Sequence, residues 1–96
     1  MNDIRFEWNK LNALANKRKH GVSFEEAQSV FYDEEAVEFD DPDHSQDEDR
    51  FIILGMSLKL RVLVISHCVR KGDVIRIISA RKATRHEAEH YWEGKT

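Results

Sequence analysis

The sequence predicts an α+β fold in which a mostly antiparallel sheet combines with two N-terminal helices and one C-terminal helix. Two capping boxes, SFEE at 23–26 and TRHE at 84–87, predict helix starts. Between them, the apolar stretches of residues 50–80 are interrupted only by short turns, which favours antiparallel hairpins. The predicted element order is β-α-α-β-β-β-β-α, in a single domain spanning residues 1–96.

The N-terminal third predicts one strand and two helices. The segment IRFEW (4–8) alternates apolar and polar residues, as a short strand does. Asn9 can cap a first helix that ends before Gly21. An apolar stripe on this helix is expected to face the core, and it comprises Trp8, Leu11, Leu14 and Ala15. The second helix is expected to bury Phe24, Ala27 and Phe31.

The rest of the chain predicts four strands and a final helix. AVEFD (36–40) alternates like a strand, and the acidic DPDHSQDED (41–49) predicts a loop. Three longer strands are predicted at 50–55, 60–69 and 73–80, joined by turns around 57–59 and 71–72. The helix that begins after Thr84 is expected to carry Ala88, Tyr91 and Trp92 on one face.

Charge is strongly segregated along the chain, although the formal net charge is only −3. Residues 32–49 carry ten acidic side chains and no Lys or Arg, for −10. Residues 1–31 contribute +1 and residues 50–96 contribute +6, so the chain outside the acidic segment carries +7. This distribution is typical of a protein that binds a polyanion.

Cysteine content and hydropathy point to the cytoplasm. A single cysteine, Cys68, cannot form an internal disulfide. No apolar run approaches the roughly 20 residues of a membrane span, and MNDIRFEWNK has no signal-peptide core. We therefore expect a cytoplasmic protein with no membrane partner.

The turn between the last two strands decides which charged residues share a sheet face. If residues 71 and 72 form a two-residue turn, His67 lies opposite Arg76, with Cβ atoms about 5 Å apart. Arg61 has the same face parity as His67. A three-residue loop with a glycine bulge would instead place Ile75 opposite His67 and move Arg76 to the other face. We expect the two-residue turn.

Three segments together resemble a known family. They are FEWNKLNALANKRKHGVSFEEAQSVF, DPDHSQDEDRFIILG and LVISHCVRKGDVIRIISARKATRHEAEHY, and the likeness runs from about Phe6 to Tyr91. The chain resembles the BrnT toxins of bacterial type II toxin–antitoxin pairs. It departs from the expected pattern at three positions: Asn9 stands for Asp, Leu60 for Gly and Cys68 for Thr.

The resemblance implies a RelE-like fold and a metal-independent ribonuclease that stops translation. It also implies a tight complex with a BrnA antitoxin, which represses its own promoter, so DNA is expected to be contacted only through that complex. No cofactor is expected. The alternative from a different class is a non-catalytic module whose basic sheet face binds RNA or a protein.

Metal-free RNA cleavage needs a base for the ribose 2′-OH, an acid for the leaving oxygen and cations for the phosphorane. The candidate catalytic residues are His67, Arg76 and Arg81. The candidate RNA-binding residues are Arg50, Arg61, Lys19 and Lys82.

Five of these candidates also have a purely structural interpretation. The His67 and Arg76 pair could be solvated on an open sheet, or the histidine could be bonded within the core. Arg81 could bond the acidic loop or a helix carboxylate, and Arg50 could pair with Asp47 or Glu48. Lys19 could simply complement the dipole of the first helix.

The acidic segment raises the possibility of a metal site. Its donors are Asp40, Asp41, Asp43, His44, Asp47, Glu48 and Asp49. Their spacing fits no EF-hand, because the central glycine and the terminal glutamate are missing from register. We therefore expect a solvated loop without metal, which could neutralise the basic cleft or steer a basic antitoxin segment.

Overall fold

The computed structural model describes residues 4–41 and 50–93, and it confirms the predicted α+β class and element order. The elements in chain order are β1 (Arg5–Glu7), α1 (Lys10–His20), α2 (Phe24–Val30), β2 (Val37–Asp40), β3 (Arg50–Met56), β4 (Val62–Arg70), β5 (Val74–Lys82) and α3 (Arg85–Glu93). Within the described residues, none of the helices has the length and apolar content needed to cross a membrane.

The five strands form one sheet in the order β1-β5-β4-β3-β2. All neighbouring pairs are antiparallel except β1 and β5, which are parallel. A parallel pair needs a long crossover. The chain supplies it here, because everything from α1 to β4 lies between β1 and β5. The last strand, β5, can therefore lie parallel to β1, which forms one edge of the sheet.

Apolar side chains pack on both faces of the sheet. On the face covered by α1 and α2, called here the helix face, the core comprises Val22, Phe24, Ala27, Val30, Ile53, Leu63, Ile65, Ile77 and Ala80. On the opposite face, called here the open face, Tyr91 of α3 packs against Leu54 and Val64. Among residues 4–41 and 50–93, α3 is the helix that packs on the open face, and it does so at one end.

The rotation of α1 differs from the prediction, and Asn16 explains why. The buried Asn16 amide donates to the carbonyls of Val22 (2.9 Å) and Ala80 (2.8 Å) and accepts from the Ala80 N–H (3.0 Å). It thereby satisfies the edge of β5 beyond the end of β1. Leu11 and Leu14 point the other way, 75% and 59% exposed. The predicted core stripe is therefore wrong for Leu11, Leu14 and Ala15, whereas Trp8 packs against the core as predicted.

The predicted helix starts are confirmed by their cap geometry. The Asn9 side chain accepts from the Asn12 N–H at 3.0 Å, and the Ser23 hydroxyl accepts from the Glu26 N–H at 3.0 Å. Gly21 ends α1 in the left-handed conformation, with φ 71°. Local sequence thus fixed where these helices begin, but not which way α1 faces.

The β4–β5 hairpin has a three-residue turn, so the predicted two-residue turn is wrong. Arg70 pairs with Val74, and Gly72 and Asp73 both take positive φ, at 75° and 62°. The register then places Ile77 opposite His67 and Cys68 opposite Arg76, and it shifts at Ser66/His67 through a bulge. The two alternatives predicted Arg76 or Ile75 opposite His67, and neither of these pairs is found.

Gly55 and Asp33 join the two layers that flank β3. A Cβ at Gly55 would lie 2.9 Å from both Ala36 Cβ and Val30 Cγ1, so only glycine fits there without a shift. Next to it, the Asp33 carboxylate accepts from the Met56 N–H (2.8 Å) and from the Tyr91 hydroxyl (2.6 Å). Asp33 therefore ties the loop after α2 to both β3 and α3.

Replacing Asn16 by alanine is expected to destabilise the fold by about 2–4 kcal/mol, because it leaves the buried Ala80 backbone groups without their partner. Urea denaturation measures the change. Asn12→Ala on the same helix is the control, since Asn12 is exposed, and should shift the free energy of unfolding by no more than about 0.5 kcal/mol. Equal losses in both variants would contradict the role of Asn16.

Leu60→Gly is expected to stabilise the protein by about 0.5–1 kcal/mol. Leu60 has φ 61° and is 80% exposed, so glycine relieves left-handed strain and loses little burial. The control is Leu58→Gly, which has the same exposure without a positive φ and should be neutral or destabilising. The two thermal denaturation midpoints should move in opposite directions or differ clearly; a lower midpoint for Leu60→Gly contradicts the strain.

Candidate functional site

A row of charged side chains crosses the open face. Arg50 pairs with Cys68, Cys68 pairs with Arg76, and Arg76 pairs with Glu7. Directly paired residues on neighbouring strands share a face. With strands about 4.8 Å apart, the Cα atoms of Arg50 and Arg76 are separated by roughly 10 Å, with Cys68 between them. Arg50 and Arg76 therefore both lie on the open face.

Arg76 is held by a carboxylate from the first strand. Its Nη1 donates to Glu7 Oε2 at 3.0 Å, and Arg70 Nε lies 3.5 Å from the same oxygen. All three side chains keep substantial exposure. A guanidinium has five N–H donors, so Arg76 can bind Glu7 and still present donors to an anion above the sheet.

Arg81 forms the second cationic position of the open face. It shares its row with Val64 and Leu54 and makes a two-fold contact with Glu87 of α3, at 2.7 and 2.9 Å. The Arg81 hydrogen bonds, with help from Thr84, lower the pKa of Glu87 to about 2. The bond to Glu87 in turn raises the pKa of Arg81. Of the structural interpretations of Arg81, the helix carboxylate is the one observed.

The floor between the two arginine positions is polar. Ser66 and Ser79 pair directly across β4 and β5, between the row of Arg76 and the row of Arg81, and both are half-buried. The bulge in β5 falls at this point. Bulges re-aim side chains and are common beside active sites. The open face therefore offers two hydroxyls flanked by guanidinium groups.

His67 lies on the other side of the sheet from Arg76. Its side chain is fully buried, its ring meets Phe31 edge-to-face at 4.8 Å, and its Nε2 is 3.1 Å from Glu38 Oε1. Burial lowers the pKa of His67, although the Ile65 carbonyl and Glu38 act in the opposite direction. The predicted side-by-side pair is therefore wrong, because the longer turn moves Arg76 to the open face.

Arg61 is on the helix face and bonds a buried carboxylate. Its Nε donates to Glu26 Oε2 at 2.9 Å, its Nη2 donates to Glu26 Oε1, and Ser57 Oγ donates to Oε2 at 2.6 Å. Glu26 is only 4% exposed, and the hydrogen bonds from Arg61 are the main cause that lowers its pKa. A buried carboxylate requires such a partner. The predicted patch of Arg61, His67 and Arg76 is therefore not formed.

The two lysine candidates lie at the edge of the sheet. Lys19, at the end of α1, lines a cavity of about 320 Å³ with His20 and Ser79, between α1 and β5. Lys82 is exposed at the end of β5 and pairs with Leu63, which puts it on the helix face. Of the seven sequence candidates, the open face brings together Arg50, Arg76 and Arg81.

Two carboxylates of the site were missed by sequence reasoning. Glu87 had a usable signal, since the TRHE motif places it at the start of a helix directly after Arg81. Glu7 had none, because its contact with Arg76 depends on the parallel pairing of β1 with β5. Nothing local in IRFEW indicates a strand 70 residues away as its partner.

The donor set of the described residues does not favour a metal. Across 4–41 and 50–93, no three His, Cys, Asp or Glu side chains converge where they could hold an ion. The acidic donors from Asp43 to Asp49 lie outside the described residues. The geometry in hand is therefore that of a cationic surface with two carboxylates, suited to binding phosphate groups and moving protons.

Comparison with known proteins identifies the class. The fold matches the 1.1 Å crystal structure of the Brucella abortus ribonuclease toxin BrnT, with a TM-score of 0.68 and 19% identity, over 86% of this chain and 100% of that one. Curated protein sequences gave no match. The family described as "Ribonuclease toxin, BrnT, of type II toxin-antitoxin system" matches residues 8–87. That match places the chain among the toxins of type II toxin–antitoxin systems. It belongs to the BrnT family.

The Arg81–Glu87 pair predicts a specific loss of stability in acid. Because the folded-state pKa of Glu87 is depressed to about 2 from an ordinary value of 4.5, its contribution is present above about pH 4.5 and disappears towards pH 2. Glu87→Gln should remove this part of the pH dependence, as measured by urea denaturation across that range. Glu89→Gln, an exposed glutamate on the same helix, should leave it intact. Identical pH profiles for the parent and Glu87→Gln would refute the assignment.

Proposed function

We propose that this protein is a metal-independent endoribonuclease that cleaves RNA on its open face and thereby inhibits translation. The observation that carries the proposal is the placement of Arg50, Arg76 and Arg81 on one sheet face. Family membership supports the activity. In the cell, a cognate antitoxin of the BrnA type neutralises it.

The proposed mechanism uses the arginines to bind the scissile phosphate. Arg76 and Arg81 bind its non-bridging oxygens and stabilise the charge that builds up on the phosphorane, and Arg50 holds the adjoining backbone. The ribose 2′-OH attacks the phosphorus, and the bond to the 5′-oxygen breaks. This leaves a 2′,3′-cyclic phosphate and a free 5′-OH.

Proton transfer is assigned to the carboxylates of the same face. Glu7 lies within hydrogen-bond distance of Arg76, so it can accept the 2′-OH proton of a nucleotide bound there. The 5′-oxygen takes its proton from water. Glu87 holds Arg81 in position, and its low pKa keeps it charged throughout.

The remaining candidates have other proposed roles. His67, buried between Phe31 and Glu38, supports the sheet from behind the open face. Arg61 stabilises the buried Glu26. Lys19 lines a cavity together with Ser79, a residue of the open face, and we assign this cavity as the route by which RNA leaves the site. An RNA strand leaving the site by that route would meet Lys19.

A non-catalytic module that binds RNA is the second candidate. The observation that favours it is the pairing of Arg76 and Arg81 with carboxylates, which fixes the orientations of these two guanidinium groups without any titrating imidazole. Such a surface could bind phosphates with no chemistry. The two functions differ in pH-dependent turnover, which a binder lacks.

The test is RNA cleavage by the purified protein in EDTA, with and without ribosomes. Arg76→Ala and Arg81→Ala are each expected to reduce the rate at least about a hundredfold, roughly 2.7 kcal/mol of barrier. Arg85→Ala is the matched control, because Arg85 is an almost fully exposed arginine at the start of α3. It should cleave at the parental rate.

The other outcomes are equally informative. Full activity in both variants would move the site away from the open face. No cleavage under either condition, together with salt-dependent RNA binding that Arg76→Ala weakens, would establish the binding module. Cleavage abolished by EDTA would overturn the metal-free mechanism.

A further inference from the structure

The outer surface of α1 carries an apolar stripe that stays exposed among the described residues. Leu11 and Leu14 are 75% and 59% exposed, on the side of the helix opposite the buried Asn16. Three hydrogen bonds from Asn16 fix the rotation of α1, so these leucines cannot turn inwards. Leaving two leucines in water forgoes the stabilisation that their burial would give. Such a surface is typical of a docking site.

The stripe runs into a groove between α1 and the start of α2. This cavity, about 260 Å³ in volume, is walled by Leu14, Trp8 and Phe24. The two aromatic rings meet edge-to-face at 5.9 Å and form its apolar base. A groove of this size accepts one or two apolar side chains of a partner, whereas a bilayer surface could cover the stripe but not fill the groove.

The rim of the stripe and groove is basic. Helix α1 contains four Lys or Arg residues and no acid. Lys10 and Lys17 line the groove on the α1 side. Arg18 follows on the outer surface, one turn after Leu14. Glu25, from α2, is the one acidic residue among the groove's lining. The electrostatic complement of this surface is an acidic segment with a few apolar anchors.

We propose that α1 is the docking surface for an acidic, amphipathic helical segment of the antitoxin. Its apolar side chains cover Leu11 and Leu14 and enter the groove at Trp8 and Phe24, while its carboxylates meet Lys10 and Lys17. The inference uses the antitoxin partnership of the proposed function. It does not use the cleavage chemistry, because none of these residues lies on the open face.

The experiment is isothermal titration of the whole toxin with its purified cognate antitoxin. Leu11→Ser/Leu14→Ser is expected to weaken binding at least about thirtyfold, and Lys17→Glu about tenfold. The matched control for the leucines is Leu58→Ser/Leu60→Ser, since that pair is 79% and 80% exposed at the β3–β4 turn. Lys71→Glu, in the β4–β5 turn, controls for charge. Both controls should bind within about threefold of the parent.

RNA cleavage by the same variants separates this proposal from the proposed function. The α1 variants should cleave RNA at the parental rate. If the parent protein does not cleave RNA, the proposed function fails, but the antitoxin titration still tests the docking surface. Parent-like affinity of Leu11→Ser/Leu14→Ser, or no binding by the parent, would overturn the docking surface. Two further results would also overturn it. One is a dimer of the parent protein that Leu11→Ser/Leu14→Ser dissociates. The other is binding of the parent to phosphatidylserine vesicles that Leu11→Ser/Leu14→Ser abolishes while the affinity for the antitoxin is unchanged.

Discussion

The register of the β4–β5 hairpin determines which sheet face His67, Arg76 and Arg81 occupy. A side chain changes sheet face when its strand slips by one residue. The three-residue turn at Lys71–Asp73 sends Arg76 to the open face and leaves His67 with Ile77 on the helix face. The bulge at Ser66/His67 then shifts the register by one residue, so that Arg81 pairs with Val64 on the open face. A two-residue turn would have buried an arginine against the helices.

Buried polar groups fix the positions of the surrounding elements. As a consequence, apolar side chains are left exposed and a cationic side chain is used in an internal ion pair. Asn16 satisfies the β5 edge and orients α1, which leaves two leucines in solvent. The buried Glu26 carboxylate accepts hydrogen bonds from Arg61, so this arginine is used inside the fold and does not join the open-face arginines. Each arrangement follows from the cost of leaving a buried polar group without a hydrogen-bond partner.

The features that the sequence predicted correctly are those encoded within a few residues. Capping boxes, turn glycines and alternation gave the element order, and the glycine expected at position 60 is explained by the left-handed φ of Leu60. The failures concern long-range contacts. Neither the parallel pairing of β1 nor the hydrogen bonds between Asn16 and Ala80 has a local signal. Gly72 is compatible with turns of either length, so the composition of the turn could not choose the register.

The two surfaces lie on different layers of the fold, and this constrains how an antitoxin could act. If the partner is anchored on α1, it does not thereby cover Arg76 or Arg81. The cavity lined by Lys19, His20 and Ser79 lies between α1 and β5. A chain tethered at α1 would reach the arginines at a high effective concentration, so its acidic groups could compete with RNA even if each contact were weak. Anchoring and blocking would then be separable functions, carried by different parts of the antitoxin.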